Sequence, residues 1–302
     1  MTTVVMYHYV RDTEGTQFPG LHVRNNGEFV RQLDHLHKHF DVIDIDQLRK
    51  PFDSPTSKPR ALLTFDDGFK DHFTNVLPNL KRFSFTGAFY VPAAPLIAPV
   101  ILDVHKIQVL LGSQLFEDLF LALVDLLGTR LVEDYAESGA TENEPEGLDP
   151  QKILLFKRLL QRDLPQPQRS EVLNLLFQRF FPGEEKGISE ALYLSLTELR
   201  ELKKQGMHVG NHTVNHPWLG YVDPSEAISE ISRCEDLLVA EGLMDESFKT
   251  IAFPFGNSSP HVIEYLETAN YGYAFSTVVA EFDPETDHRL GVPRLDTNDL
   301  PH

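Results

Sequence analysis

Asp66 and Asp67 stand side by side at the end of the apolar run Ala61-Leu62-Leu63-Thr64-Phe65, immediately before Gly68. Carrying two carboxylates to the rim of a core is costly unless a cation or hydrogen-bond donors meet them. Neighbours on an extended chain point to opposite sides, so one acid can grip a metal while the other accepts a proton. Much further along, Met207-His208-Val209-Gly210-Asn211-His212-Thr213-Val214-Asn215-His216-Pro217 sets two imidazoles, His212 and His216, four positions apart. That interval suits one metal ion, on a helix face or in a compact turn. One carboxylate with two neutral imidazoles is the open three-ligand set of a hydrolytic zinc site, with room left for water. Alone, the acids read as a solvated turn and the histidines as ordinary surface or core residues. Together they point to metal-assisted hydrolysis.

The elements that must deliver these groups are legible around them. A short aliphatic run ending in a turn residue, such as the one before Asp66, reads as a buried strand. Gly210 before the histidine pair and Pro217 after it argue for a strand-to-loop exit rather than a helix interior. A third run, Lys249-Thr250-Ile251-Ala252-Phe253-Pro254-Phe255-Gly256-Asn257, ends in a turn where Pro254 restrains the backbone and Gly256 permits a positive φ. Such a loop can aim a backbone N–H at a ligand. The opening run Thr3-Val4-Val5-Met6-Tyr7 leads into His8, an imidazole suited to proton shuttling at the end of a strand, although a satisfied core histidine fits the position equally. Trp218 after the histidine pair is either wall packing or a platform for a sugar ring. The single cysteine, Cys234, lies in a helical pattern as a buried small hydrophobe and excludes an internal disulfide framework.

Between these parts the texture changes. Apolar residues recur at helical spacing over 104–127, an acidic stretch with Gly and Pro over 133–149 reads as exposed loop, and helical patterns return over 153–160 and 172–181. Thr197-Glu198-Leu199-Arg200-Glu201-Leu202 then starts a helix leading to the histidines. Residues 98–190 are too many for a plain loop, and the expectation is a helical cap; the accompanying hypothesis is that it narrows a site mouth and favours a small or chain-end substrate.

The segments Thr64-Phe65-Asp66-Asp67-Gly68, His212-Thr213-Val214-Asn215-His216 and Phe253-Pro254-Phe255-Gly256, in that order, resemble the polysaccharide deacetylase family (carbohydrate esterase family 4, the NodB homology domain). Met6-Tyr7-His8-Tyr9-Val10 resembles its first strand, and Glu28-Phe29-Val30-Arg31-Gln32-Leu33-Asp34-His35-Leu36 its first helix. Leu77-Pro78-Asn79-Leu80-Lys81 and Ala88-Phe89-Tyr90-Val91-Pro92 resemble the next helix and strand, so the likeness covers residues 1–97 and 190–302. The resemblance implies an α/β fold, a distorted (β/α) barrel of about seven strands with its site at the strand C-terminal ends. Residues 1–302 would form one such domain, with 98–190 an α-helical insertion. It further implies Asp67, His212 and His216 as ligands of a divalent metal, with Zn2+ first and Ni2+, Co2+ or Mn2+ as alternatives. Asp66 would be the general base for a metal-activated water. The loop at Pro254 and Phe255 would bind substrate, a backbone N–H there helping to hold the oxyanion. The implied reaction removes the N-acetyl group of an amino sugar.

Two departures matter. Many members carry Arg where this chain has Ala252; those reading Ala-aromatic-Pro-aromatic-Gly instead carry a late Leu-Pro-Arg, matched here by Val292-Pro293-Arg294-Leu295. Arg294 is thus the candidate that keeps Asp66 ionised, the competing reading being a surface salt bridge. The usual late Leu-x-His acid has no clear match, which leaves His8, and less directly His105, as proton donors.

Composition bounds the rest. With 302 residues and 41% hydrophobic content the chain can bury one barrel-sized core and an insertion. A formal charge of −18 argues against nucleic acid, anionic membranes and acidic polymers as partners. The start of the chain lacks signal-peptide character and no apolar run is long enough for membrane insertion, so the expected location is cytoplasmic and the expected substrate an activated or lipid-linked sugar of cell-surface glycan or O-antigen synthesis, as in lipopolysaccharide. Protein partners are not legible. Alternatives are a relative acting on a formamide or cyclic amide, and a metal-retaining carbohydrate-binding protein without catalysis.

Overall fold

Along the strands of this protein, side chains alternate between two faces that are both buried. Val5, Leu63, Phe65 and Phe89 share one core with Phe29, Leu33 and Leu36 of the helix Asn26–His39 and with Leu199 and Leu202 of the helix Leu196–Lys204. Val4, Leu62, Ala88, Tyr90, Ala252 and Phe275 fill a second core on the opposite face, the barrel interior. Burial on both sides is why these strands read as unbroken apolar runs rather than as alternating ones. The computed structural model describes residues 1–49, 58–113, 115–138 and 151–301.

The strands are β1 (Thr2–Tyr7), β2 (Asp41–Val42), β3 (Arg60–Phe65), β4 (Ala88–Val91), β5 (His208–Asn211), β6 (Lys249–Ala252), β7 (Tyr271–Phe275) and β8 (Leu295–Asp296). Seven follow the order β7-β6-β5-β4-β3-β1-β8, and every pairing is parallel. Opposite the β1 side, β2 pairs with the beginning of β3 and β4 with its end. Parallel strands require crossovers, and helices supply them. Two of these helices start with a reciprocal capping box, Asn25 with Glu28 and Ser195 with Glu198. The result is the distorted (β/α) barrel expected from the sequence. Its last segment touches both edges: Val292 bridges to Phe275 of β7, and Leu295 pairs with Val5 of β1.

By their mutual contacts the residues divide into two units, one of Met1–Asp12, Val23–Pro99 and Ser189–His302, the other of Thr13–His22 and Val100–Ile188. The second unit is helical. The apolar run over 104–127 forms two helices, Asp103–Gly112 and Phe116–Leu127. Inside this unit Lys106 is buried, and its charge is met by Glu185 at 2.8 Å and the Asn174 side-chain oxygen at 2.6 Å. One expectation fails here: residues 133–138 are not loop but the end of the helix Thr129–Ser138, because Val132 is buried and Tyr135 bonds the Asp163 carbonyl while the acids face out. The remainder of that acidic stretch, 139–149, lies outside the described residues. Among the described residues no helix is long and apolar enough to cross a membrane.

Gly210 in β5 shows how tightly the interior is filled. A Cβ there would lie 2.5 Å from Tyr90 Cε1 and 2.7 Å from Thr250 Oγ1. Gly210→Ala is therefore expected to destabilise the fold by about 1–3 kcal/mol. The check is a lowered denaturant midpoint at unchanged slope.

Candidate metal centre

Asp66 follows β3 on the parity of Leu62 and Thr64, so it faces the barrel interior. Its amide still extends the ladder, donating to the Tyr7 carbonyl at 2.9 Å. Its carboxylate meets Arg294 in a two-pronged contact, Nη1 to Oδ1 at 2.9 Å and Nη2 to Oδ2 at 2.8 Å. The guanidinium also donates from Nε to the Ser276 carbonyl at 2.8 Å and from Nη1 to Thr64 Oγ1 at 3.2 Å. Arg294 is fully buried, so the surface-salt-bridge reading of this residue is wrong. The chain reaches this position because it passes from the edge of β7 to that of β1. Burial pushes the Asp66 carboxyl up, but the Arg294 charge, with His212, the Arg294 hydrogen bonds and His8, outweighs it and holds the group below the usual carboxylate range.

Asp67 leaves the strand through a left-handed turn, with φ of 73° followed by 63° at Gly68. The two acids do diverge, but because of this turn and not the pleat of an extended chain. The turn is anchored beyond: Lys70 donates its amide to Leu192, and Leu194 donates to Gly68, both at 2.8 Å.

The histidines leave β5 through a compact turn, not a helix, with Thr213 at φ 65° and His216 at φ 58°. His212 Nδ1 lies 2.8 Å from the Ala252 carbonyl. A carbonyl only accepts, so the neutral ring carries its proton on Nδ1 and presents the Nε2 lone pair. That Nε2 faces Asp67 Oδ1 at 3.3 Å, and His216 Nε2 faces the same oxygen at 3.4 Å. The ligand atoms of Asp67, His212 and His216 all lie within 4.8 Å of one another, and all three residues are buried. A lone pair and a carboxylate oxygen so close repel unless a proton or a cation lies between them. The direction of the His212 titration agrees: burial pushes it down, yet Asp67 and Asp66 hold it above its ordinary value. The site therefore calls for positive charge, and its donor set fits a small divalent cation.

Strain collects at this centre. Among the described residues six non-glycine positions have positive φ, and Asp67, Thr213, His216 and Phe255 are four of them. Each such backbone costs on the order of 1–3 kcal/mol and persists only where its surroundings over-determine it. Phe255, in the turn Pro254–Gly256, sets its ring edge-on to His216 at 4.7 Å and stacks on Trp218 at 4.1 Å. Trp218 thus packs as wall on this face. Pro254, the first residue of the turn, is buried, and Gly256 is required there, since a Cβ would stand 2.1 Å from Thr277 Oγ1.

His8 follows β1 directly, half-buried and close enough to act on Asp66; its carbonyl accepts from the ring of buried His72 at 2.9 Å. His105 is fully buried in the helix Asp103–Gly112 of the helical unit. Cys234 is buried, as expected, its thiol pushed up to about 12 by burial. Sequence reasoning passed over Glu230, whose carboxylate binds the turn between the histidines. Its one signal was an acid on the buried stripe of Ala227, Ile231, Cys234 and Leu238.

The buried ion pair has a measurable consequence. Arg294→Met leaves an uncompensated buried carboxylate and is expected to cost about 3–5 kcal/mol. Adding Asp66→Asn should return part of that loss in denaturant unfolding, whereas equal stability of single and double variants would contradict the pairing.

Residues 180–274 match the family model described as polysaccharide deacetylase. No curated protein matches the chain. Solved structures with the same fold include the Streptococcus pyogenes deacetylase PplD in complex with acetate, 16% identical, covering 99% of this chain and 92% of that one, with a TM-score of 0.61. IcaB from Ammonifex degensii is 15% identical over 98% of this chain and 92% of its own, at a TM-score of 0.55. A de-N-acetylase from Aggregatibacter actinomycetemcomitans is 14% identical over 98% and 95%, at 0.57. At such identities the likeness is one of fold. The chain thus shares its fold with these proteins over nearly its whole length, and its sequence over residues 180–274 matches that of polysaccharide deacetylases.

Proposed function

We propose that this protein is a metal-dependent hydrolase that removes an N-acetyl group from an amino sugar of a cell-surface glycan, O-antigen or activated precursor. The observation that carries this reading is the convergence of Asp67, His212 and His216 beside an Asp66 locked by Arg294. The match of residues 180–274 and the acetate held by PplD, a product of the proposed reaction, support it.

Asp67, His212 and His216 would hold the cation; Zn2+ suits one carboxylate and two imidazoles best, with Ni2+, Co2+ and Mn2+ as alternatives. When bound, such an ion polarises an amide carbonyl and brings the pKa of water towards neutrality. Asp66 takes the proton of the attacking water. Arg294 bridges both of its oxygens, which keeps the carboxylate ionised and oriented while making it a weaker base. Pro254 and Phe255 shape the wall against which the acyl group rests, the Phe255 backbone N–H facing the developing oxyanion. His8 returns a proton to the departing amine. Acetate and a free amino sugar leave. The proposal also gives residues 98–190 the role of limiting the substrate to small or chain-end sugars, and places the reaction in the cytoplasm.

The test combines metal content with hydrolysis of N-acetyl and N-formyl sugars, as monomers and polymers. Asp67→Ala should lose both metal and turnover. Asp66→Asn should keep the metal and lose about 10²- to 10⁴-fold in kcat. Turnover of N-formyl substrates alone would favour a deformylase, sugar binding without hydrolysis a carbohydrate-binding protein, and equal efficiency on internal polymer sites would refute the size limit.

A further inference from the structure

The two histidines are joined by a turn that makes unusual use of its backbone donors. The Thr213 amide donates to Asn211 Oδ1 at 2.7 Å, and the His216 amide donates to Thr213 Oγ1 at 3.0 Å. Between them, the Val214 amide at 3.0 Å and the Asn215 amide at 2.7 Å both donate to Oε2 of Glu230. The Asn215 side chain adds a bond from Nδ2 to Glu230 Oε1 at 2.6 Å. All four amides from 213 to 216 are thus held by side chains rather than by a ladder or helix. The turn is bound from its other side as well, where the Thr213 and Val214 carbonyls accept from Ala93 and Ala94 at 3.0 Å.

Glu230 belongs to the helix Pro224–Ala240 and is buried. A buried carboxylate needs donors, and an arched backbone with two residues at positive φ needs an acceptor that gathers its N–H groups. Each supplies what the other lacks. The strained arch is what turns both Nε2 atoms towards one oxygen of Asp67. Asn211 reinforces it from the strand side, its amide donating to the Ile231 carbonyl at 2.8 Å and to the Tyr271 hydroxyl at 3.0 Å.

We infer that Glu230 is the positioning residue of the metal centre: its carboxylate holds the 213–216 arch in the conformation that makes His212 and His216 a matched pair of ligands. This rests on the metal centre proposed above. Groups that orient ligands without touching the ion commonly contribute about 10- to 100-fold in metal affinity.

The experiment uses the full chain, with Zn2+ affinity from chelator competition and the visible absorption of bound Co2+ as readouts. Glu230→Ala should weaken Zn2+ binding by about 10- to 100-fold and alter the Co2+ spectrum. Asn215→Asp sets carboxylate against carboxylate at an exposed residue and should also weaken binding. The double variant Glu230→Gln with Asn215→Asp restores a donor–acceptor pair of reversed polarity and should recover both readouts. If Glu230→Ala does not fold, the Asn215→Asp series decides. Wild-type affinity and spectrum in the foldable single variants, or a double variant no better than Asn215→Asp, would overturn the inference. A wild type that binds neither Zn2+ nor Co2+ would overturn the metal centre itself, and that result is visible before any variant is made.

Discussion

The buried pair of Arg294 and Asp66 joins two segments 228 positions apart at the point where the site is assembled. Asp66 is delivered by β3 and Arg294 by the segment that crosses from β7 to β1. Neither charge belongs in a barrel interior by itself. Together, with the Ser276 carbonyl and Thr64 hydroxyl taking further guanidinium donors, their hydrogen bonds are satisfied. A buried ion pair is a weak way to gain stability, since apolar residues of similar volume often do as well. What it provides is a carboxylate that stays ionised and does not rotate, adjacent in sequence to one that faces two imidazoles.

The second constraint is backbone strain. Asp67, Thr213, His216 and Phe255 all occupy the left-handed region, and none is a glycine. Each bend points a side chain where a regular strand or helix would not, and each is compensated nearby. The Asp67 turn is bonded through Gly68 to Leu194, the histidine arch to Asn211, Glu230 and Thr213, and Phe255 packs against Trp218 and His216. The regular strands supply rigidity and the irregular turns supply direction. Neither would bring three donor atoms together alone.

The barrel strands and several site residues could be read from the chain because their signals are local. A run of aliphatic residues stopped by Asp-Asp-Gly, and a histidine pair bracketed by Gly210 and Pro217, describe strand ends without long-range information. The acidic stretch misled because its charges masked the apolar periodicity of Leu131, Val132 and Tyr135, which continues a helix to Ser138. Glu230 was missed for the opposite reason: its meaning lies in backbone amides up to sixteen positions away. An acid on an apolar helix stripe signals a buried partner but cannot say which.

The sequence by itself nominated buried strands and the residues Asp66, Asp67, His212 and His216, since aliphatic runs, turn residues and side-chain chemistry are properties of short segments; the barrel class and Arg294 followed from the resemblance to polysaccharide deacetylases. Tertiary structure decided that Arg294 is interior, that Glu230 gathers the amides of the histidine arch, and that Trp218 packs on Phe255. Those outcomes depend on where separate strands end in space and on which buried groups must neutralise one another. That is a condition of desolvation across the whole barrel, and no stretch of sequence states it.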